Sequence, residues 1–245
     1  MTKLFCRDGL FVSWPLPPDI EWPKFLRLLR NPAPPIGWLE AAAELEDLQK
    51  RPLLLRWIAQ HPKAPSHLRA RLLPRLPWRI LAAVASDTSA HPQARNFATE
   101  RLQNLWPGLT LGERRALAPL APKPLWRLVW KVPDIRILQA FLQNPRLHES
   151  GLLALFHAPL QPAQLAALEN SLWREQEAIA LRILQLLDET LLMPESQVVL
   201  GHAAHWIKVL EPEARLLAST NLRHPALRRM TRTHSIPLEI GRAHV

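Results

Sequence analysis

The sequence predicts an all-α protein, built as an α-solenoid of stacked helix pairs. Three observations predict this class: 7 Gly stand against 25 Pro in 245 residues, apolar residues recur at helical spacing, and similar proline-containing joints repeat. Tight hairpin turns of all-β proteins depend on glycine, so the scarcity of Gly argues against that class. Abundant Pro in an apolar chain is typical of short helices separated by breaks.

The composition changes near residue 37. Residues 1–37 contain SWPLPPDIEWPKFLRLLRNPAPPIGW and are predicted to form a Pro-rich arm or cap, with one short helix over Pro23–Arg30. Residues 38–238 are predicted to form the helical repeat domain, because apolar residues recur there every three or four positions, for example in the block 135–142. No block alternates polar and apolar residues, so the sequence predicts no strands.

Five joints separate the apolar blocks. They read QHPKAPSHL, SAHPQARNF, QNPRLHESGL, LLMPESQVV and LRHPALRRM, and their prolines are Pro62, Pro92, Pro145, Pro194 and Pro225. Proline is tolerated in the first turn of a helix and blocks continuation of the helix before it. Successive joint prolines are 30, 53, 49 and 31 residues apart. The shorter intervals fit one helix pair, as in repeat proteins whose stacked pairs share a continuous core.

The joint QNPRLHESGL gives the most specific structural prediction. We expect Gln143 and Asn144 to end one helix, and a second helix to begin between Pro145 and His148.

The joints and the Leu/Ala-rich helices resemble the HEAT, armadillo and leucine-rich-repeat-variant families of bacterial α-solenoids. The segments NPRLHE and LTLGERRALAPLA carry the resemblance best, and it extends over residues 38–232. The resemblance implies the solenoid fold, and by analogy it implies a binding or scaffold role.

The end of the chain, Glu239–Val245, reads EIGRAHV. Reverse translation as GAG ATC GGA AGA GCA CAC GTC matches a widely used sequencing-library adapter. We therefore expect the natural sequence to stop near Leu238 and the protein to continue beyond it, which would leave the repeat domain truncated.

Composition also limits the location and the cofactors. The single cysteine, Cys6, excludes an intrachain disulfide and a thiolate-rich metal centre within this sequence. Arg7 and Asp8 interrupt the apolar stretch that a signal peptide would need. No segment approaches the about 18 uncharged apolar residues of a membrane span. We expect a cytoplasmic protein with no membrane partner and no cofactor.

The net charge of +10 raises the question of an acidic ligand. Two arginine clusters form a candidate basic face for a phosphate-bearing ligand, and the alternative is that these side chains lie solvated over apolar surface. The candidate residues are Arg69, Arg71, Arg75, Arg79, Arg223, Arg228, Arg229 and Arg232.

Two groups of side chains suggest chemistry, and a structural role is favoured for each. Arg146, His148 and Glu149 follow Pro145 and could relay a proton, but the other joints keep no His–Glu pair, and Glu149 suits a first helical turn. His202 and His205 share a helix face and could bind a metal, but no nearby pattern supplies further ligands. We predict no catalytic residue and no metal ligand.

Tryptophan is unusually frequent, with 10 residues. Trp is mostly buried with its N–H hydrogen-bonded, so we expect the tryptophans of the apolar helices to be core residues. These are Trp57, Trp78, Trp126, Trp130, Trp173 and Trp206.

No nucleophile elbow, P-loop, GxGxxG or HExxH motif occurs in the sequence. We therefore expect a non-catalytic scaffold that binds another macromolecule, most simply a protein. The alternative is a basic nucleic-acid-binding solenoid, and its enzyme variant is a HEAT-like DNA glycosylase. The glycosylase would need a carboxylate beside Trp in a basic groove, and Asp87, Asp134 and Asp188 are available for this role.

Overall fold

A computed structural model describes residues 3–5, 11–13, 29–30, 34, 37–45, 50–157, 159–193 and 200–234. The chain forms two compact units. Unit 1 contains Met1–Thr110 and Leu120–Leu125, and unit 2 contains Leu111–Pro119 and Trp126–Val245. The predicted division into an arm over residues 1–37 and a repeat domain over residues 38–238 stays a prediction, and the tail Glu239–Val245 lies outside the described residues.

Unit 1 begins with a short β-hairpin that the sequence did not predict. Strands β1 (Lys3–Phe5) and β2 (Phe11–Ser13) are antiparallel, with Leu4 opposite Val12. Each strand has three residues, too few for an alternating pattern to be recognised, so the expectation of no strands was wrong here. The helix predicted over Pro23–Arg30 falls mostly outside the described residues.

The rest of unit 1 is helical in its described part. Its five described α-helices are α1 (Trp38–Glu44), α2 (Pro52–Gln60), α3 (Ser66–Leu72), α4 (Trp78–Ser86) and α5 (Pro92–Leu105). Short 3₁₀ turns cover Leu73–Arg75, Trp106–Gly108 and Lys123–Leu125. Helices α4 and α5 pack on each other most extensively, and the core they share includes the fully buried Leu81 and Leu102.

Unit 2 contains nine described α-helices. They are α6 (Leu111–Leu117), α7 (Trp126–Trp130), α8 (Ile135–Leu142), α9 (Glu149–Leu153), α10 (Pro162–Glu169), α11 (Glu177–Leu191), α12 (Gly201–Val209), α13 (Pro212–Asn221) and α14 (Pro225–His234). A 3₁₀ turn covers Leu172–Glu175, and another, Ala118–Leu120, follows α6 and ends at Leu120, which belongs to unit 1. The pairs α8–α10, α11–α12 and α13–α14 make its main packing contacts.

The prediction of a helical protein is therefore confirmed. Outside the N-terminal hairpin, the described residues form no further strand. Among the described helices, none is long and apolar enough to cross a membrane.

The joint at residues 143–148 is confirmed in its first half. Helix α8 ends at Leu142 and Gln143 is its C-cap. Helix α9 begins at Glu149, one residue later than predicted, with His148 as its N-cap. The Asn144 side chain accepts the Arg146 N–H at 3.0 Å and holds the chain in a turn across Pro145. This turn delays the start of α9.

The joint prolines occupy two kinds of position. Pro92 and Pro225 are the first residues of α5 and α14. Pro62 and Pro145 lie in turns ahead of α3 and α9, and Pro194 lies outside the described residues. Three further helices also begin with proline, at Pro52, Pro162 and Pro212. These three prolines were not among the predicted joints.

The residue before a joint proline often supports the turn. The Nδ1 atoms of His61 and His91 accept the backbone N–H two residues further on, from Lys63 at 3.1 Å and Gln93 at 3.2 Å. Asn144 makes the equivalent bond with its amide oxygen. These side chains act as local turn acceptors, which explains why His and Asn recur before Pro without any common chemistry.

Candidate functional site

The prediction that Arg69 belongs to an exposed basic face is wrong, because this residue is only 3% exposed. It donates hydrogen bonds from Nε to the Ala59 carbonyl at 3.3 Å and from Nη2 to the His61 carbonyl at 3.0 Å. Further bonds reach the Pro62 carbonyl at 3.2 Å and Gln93 Oε1 at 3.3 Å. Burial lowers the pKa of the guanidinium from its usual value. Arg69 therefore supplies donors for the carbonyls at the end of α2 and is not accessible to a ligand.

Two partly buried arginines of unit 2 also donate hydrogen bonds to carbonyls at the end of a helix. Arg228 donates from Nε and Nη2 to the Leu222 carbonyl at 3.0 and 2.7 Å. Arg215 donates to the Leu210 carbonyl at 2.6 Å and to the Lys208 carbonyl at 3.2 Å. Both follow a helix-initial proline by three residues, in PEAR and PALR. The spacing lets the first turn of one helix hold the end of the helix before it.

The remaining members of the predicted face have different surroundings. Arg71 forms an ion pair with Glu44 at 2.6 Å. Arg75 and Arg79 are exposed, and the Arg79 guanidinium lies over the Trp78 ring at 5.2 Å from its centroid. In unit 2, the side chains of Arg223, Arg229 and Arg232 are exposed.

Both groups of side chains that suggested chemistry are found in positions that favour a structural role. His202 Nδ1 lies 2.7 Å from Glu169 Oε1, and Trp206 is fully buried beside His205. Within the described residues, no three His, Cys, Asp or Glu side chains are placed to hold a metal ion.

Arg146, His148 and Glu149 are all exposed around the start of α9. Glu149 lies in the first turn of that helix, where a carboxylate interacts favourably with the helix dipole.

Two of the three candidate aspartates serve the fold. Asp134 caps α8 by accepting the N–H groups of Arg136 and Ile137 at 2.8 and 3.3 Å. Asp188 is buried on α11 and accepts the N–H groups of Arg223 and His224 at 2.9 and 2.6 Å. Backbone N–H groups engage both carboxylates, which favours a structural role for each.

Asp87 lies in a different setting, an open cleft of unit 1 at the ends of α2 and α4. The cleft has a volume of about 570 Å³. We call it the Trp57 cleft, and its lining includes Arg30, Arg56, Trp57, Gln60, Asp87 and Ser89.

The Asp87 carboxylate is held by its neighbours in this cleft. Oδ1 accepts the Ser89 hydroxyl at 2.6 Å and the Ser89 N–H at 3.0 Å, and Oδ2 accepts Gln60 Nε2 at 3.1 Å. The Ser89 hydroxyl bond is the main cause that lowers the pKa of Asp87. The Ser89 N–H, Gln60 and Arg56 add to this effect, and partial burial opposes it. Asp87 is therefore ionised at neutral pH.

An exposed apolar ridge borders the cleft on α2. Trp57 is 45% exposed and Leu53, one helical turn earlier, is 61% exposed. The Arg30 guanidinium lies over the Trp57 ring at 5.9 Å from its centroid. The expectation that the helix tryptophans are core residues is confirmed for Trp126, Trp130 and Trp206 but is wrong for Trp57.

The sequence contained a signal for this ridge. The buried stripe of α2 is Leu55, Ile58 and Ala59, whereas Leu53 and Trp57 are spaced by four residues on another face. Apolar residues outside the main stripe of a short helix indicate a second contact surface.

Comparisons with models of protein families, with curated proteins and with solved structures find no match to this chain.

Proposed function

We propose that this chain is a non-catalytic scaffold of stacked HEAT-like helix pairs, an α-solenoid, that binds another protein in the cytoplasm. The observation that carries the proposal is the exposed ridge of Leu53 and Trp57 beside the Trp57 cleft. A large aromatic side chain next to arginines is the composition of an interaction hot spot. The cytoplasmic setting rests on the single cysteine, Cys6.

The use of arginine within the fold supports a protein partner over a polyanion. Arg69, Arg215 and Arg228 donate to main-chain carbonyls, and Arg71 pairs with Glu44. Three of the eight arginines that suggested a phosphate ligand, Arg69, Arg71 and Arg228, are therefore engaged in intramolecular contacts. The proposed recognition surface depends on apolar area, whose burial contributes about 25 cal/mol per Å².

Site-specific photo-crosslinking in the native cells tests the proposal. A photo-reactive amino acid at Leu53 is expected to yield one discrete conjugate that protease removes and nuclease leaves intact. Trp57→Ala in the same chain should abolish the conjugate, because the two side chains share one face of α2. The same photo-reactive group at Phe97, which is 36% exposed on α5, is the position control. Conjugates that appear equally from both positions would contradict the proposal.

A nucleic-acid ligand is the second candidate, and the pair Arg75 and Arg79 favours it. Both are exposed, and within the described residues neither forms an ion pair. Retention on DNA or RNA columns distinguishes the candidates, since phosphate contacts weaken steeply with salt. Retention at low salt that Arg75→Ala with Arg79→Ala removes would favour this candidate. A complete lack of retention at low salt would exclude it.

The enzyme variant of this candidate centres on Asp87, which lies in the same cleft as Trp57 and two arginines, as a HEAT-like DNA glycosylase would require. Release of modified bases from alkylated DNA, lost in Asp87→Asn, would support that activity. The bonds from Ser89 and Gln60 already occupy both carboxylate oxygens, which favours a structural role for Asp87.

A further inference from the structure

We propose that the Trp57 cleft binds an acidic segment of the partner protein. In this arrangement Arg30 and Arg56 hold a carboxylate, and a neighbouring apolar side chain of the segment covers Trp57 and Leu53. The proposal rests on the proposed protein-binding function and adds the chemistry of the ligand.

The charges of the cleft favour an anionic side chain. Among the described residues that line the cleft, two carry a guanidinium group, Arg30 and Arg56, and one carries a carboxylate, Asp87. The Arg56 Nη2 atom is 3.7 Å from Asp87 Oδ2, longer than the about 2.7–2.9 Å of a close charge-assisted hydrogen bond. The strongest bonds to Asp87 come instead from Ser89 and Gln60. The described acidic and basic side chains of the cleft therefore carry one positive charge in excess.

Arg56 is also oriented before a ligand arrives. Its Nε donates to Gln60 Oε1 at 2.9 Å, and Gln60 in turn donates to Asp87 at 3.1 Å. This chain of bonds fixes the plane of the guanidinium at the cleft. Holding a donor fork in place reduces the entropy that binding would otherwise cost.

The apolar ridge defines the second part of the ligand. Trp57 and Leu53 present an aromatic ring and an aliphatic side chain one turn apart, and Arg30 lies over the ring. A carboxylate bound between the arginines places the adjacent residue of a peptide near this ridge. An aromatic or aliphatic residue there removes apolar surface from water and shields the ion pair.

The same features fit a peptide better than a nucleic acid. Nucleic acids bring a phosphate for every nucleotide, and a groove that binds them carries a line of cations. Here an ionised carboxylate, Asp87, lines the same cleft as the arginines, so a second phosphate would meet a like charge. A single carboxylate has no such penalty.

Selection from a displayed library of random peptides tests the inference. The wild-type chain is the bait, and Trp57→Ala is used to remove unrelated binders. We expect enriched peptides to carry Glu or Asp next to an aromatic or aliphatic residue. Enrichment without acidic residues, or no enrichment that depends on Trp57, would overturn the inference.

Affinity measurements on an enriched peptide, labelled with a dye and followed by fluorescence anisotropy, give the second readout. Changing its acidic residues to Gln or Asn, or Arg30→Ala in the protein, should weaken binding about tenfold. Arg79→Ala is the matched control, because Arg79 also lies over a tryptophan in unit 1 but outside the cleft. It should leave the affinity unchanged, and circular dichroism checks that each variant is folded.

The outcomes distinguish failure of the acidic-peptide inference from failure of the proposed protein-binding function. A Leu53 conjugate that is protein, together with selected peptides that lack acidic residues, leaves the proposed function standing and rejects the acidic ligand. The absence of both a conjugate and a selected peptide rejects both. An oligonucleotide that displaces the peptide from the cleft at equal concentration would contradict the acidic-peptide inference and favour a phosphate ligand.

Discussion

Replacing Arg69 with Ala tests whether the arginines of the joints belong to the fold or to a ligand surface. The substitution removes the donors to the carbonyls of Ala59, His61 and Pro62. Ala59 and His61 are buried, whereas Pro62 is exposed and water can replace its lost bond. The His61 carbonyl also keeps the Ala64 N–H at 3.0 Å. The cost therefore arises mainly at the Ala59 carbonyl.

Each buried carbonyl that loses its partner costs about 1–3 kcal/mol. Water that enters the vacated space recovers part of this, and the weakened bonds at His61 and Pro62 add a little, so we expect Arg69→Ala to lower the free energy of unfolding by about 2 kcal/mol. Arg71→Ala is the matched control on the same helix. Its ion pair with Glu44 is largely solvent-exposed, so we expect a loss of about 0–1 kcal/mol.

Urea unfolding followed by far-UV circular dichroism measures both variants. At an unchanged m-value, the loss appears as a lower midpoint for Arg69→Ala and almost no change for Arg71→Ala. Arg69→Lys should lie between wild type and Ala, because an ammonium keeps the charge but loses the donor fork. Equal stability of Arg69→Ala and Arg71→Ala would refute the structural role.

Three further predictions, one of them with a control substitution, concern other parts of the fold. Arg215→Ala should destabilise the protein by about 1–2 kcal/mol in the same urea assay, since its bonds to the carbonyls at the end of α12 are partly exposed; an unchanged midpoint would argue against the capping role. Gly151→Ala should cost about 1–3 kcal/mol, because a Cβ there would lie 2.8 Å from Trp126 Cζ3. Gly112→Ala is its control, has open space around it and should be neutral or stabilising by up to about 1 kcal/mol, so equal effects of the two would contradict the packing. Asp87 has a lowered pKa, so its contribution to stability is present above its unfolded-state pKa of about 3.9 and is lost as pH falls through the lower folded value. Asp87→Asn should therefore flatten the acid limb of a plot of unfolding midpoint against pH, and a limb of unchanged steepness would argue against this linkage.

The helices were predictable because periodicity and proline breaks act locally. The end of α8 at Leu142 follows from the pattern before Asn144, and helix-initial prolines such as Pro92 and Pro225 follow from the geometry of the first helical turn. The later start of α9 was missed because it depends on the side-chain bond from Asn144 to the Arg146 N–H. A turn of this kind leaves little trace in residue type alone.

The arginines show the limit of sequence reasoning about sites. Residue type and clustering placed Arg69 and Arg79 in one predicted basic face, but Arg69 is buried against main-chain carbonyls and Arg79 is exposed. The difference depends on tertiary packing, since the acceptors of Arg69 are carbonyls at the end of α2 and in the turn after it, and the Gln93 side chain 24 residues further on. The Pro-x-x-Arg spacing of Arg215 and Arg228 was visible in the sequence, but its meaning required the carbonyls it reaches.

The Trp57 cleft was missed because a side chain that was predicted to be buried is exposed. The apolar residues of α2 form two sets, Leu53 with Trp57 and Leu55 with Ile58, and only packing shows that the second set is buried. Arg30 comes from a segment far earlier in the chain, so its position over the Trp57 ring could not be inferred from spacing.

The most direct test is the affinity of the chain for the partner captured at Leu53, measured for two sets of variants. The account predicts that Trp57→Ala weakens binding about tenfold or more, whereas Arg75→Ala combined with Arg79→Ala leaves it within about twofold. Retained binding in Trp57→Ala, with binding lost in the double arginine variant, would contradict it and place recognition on the basic surface.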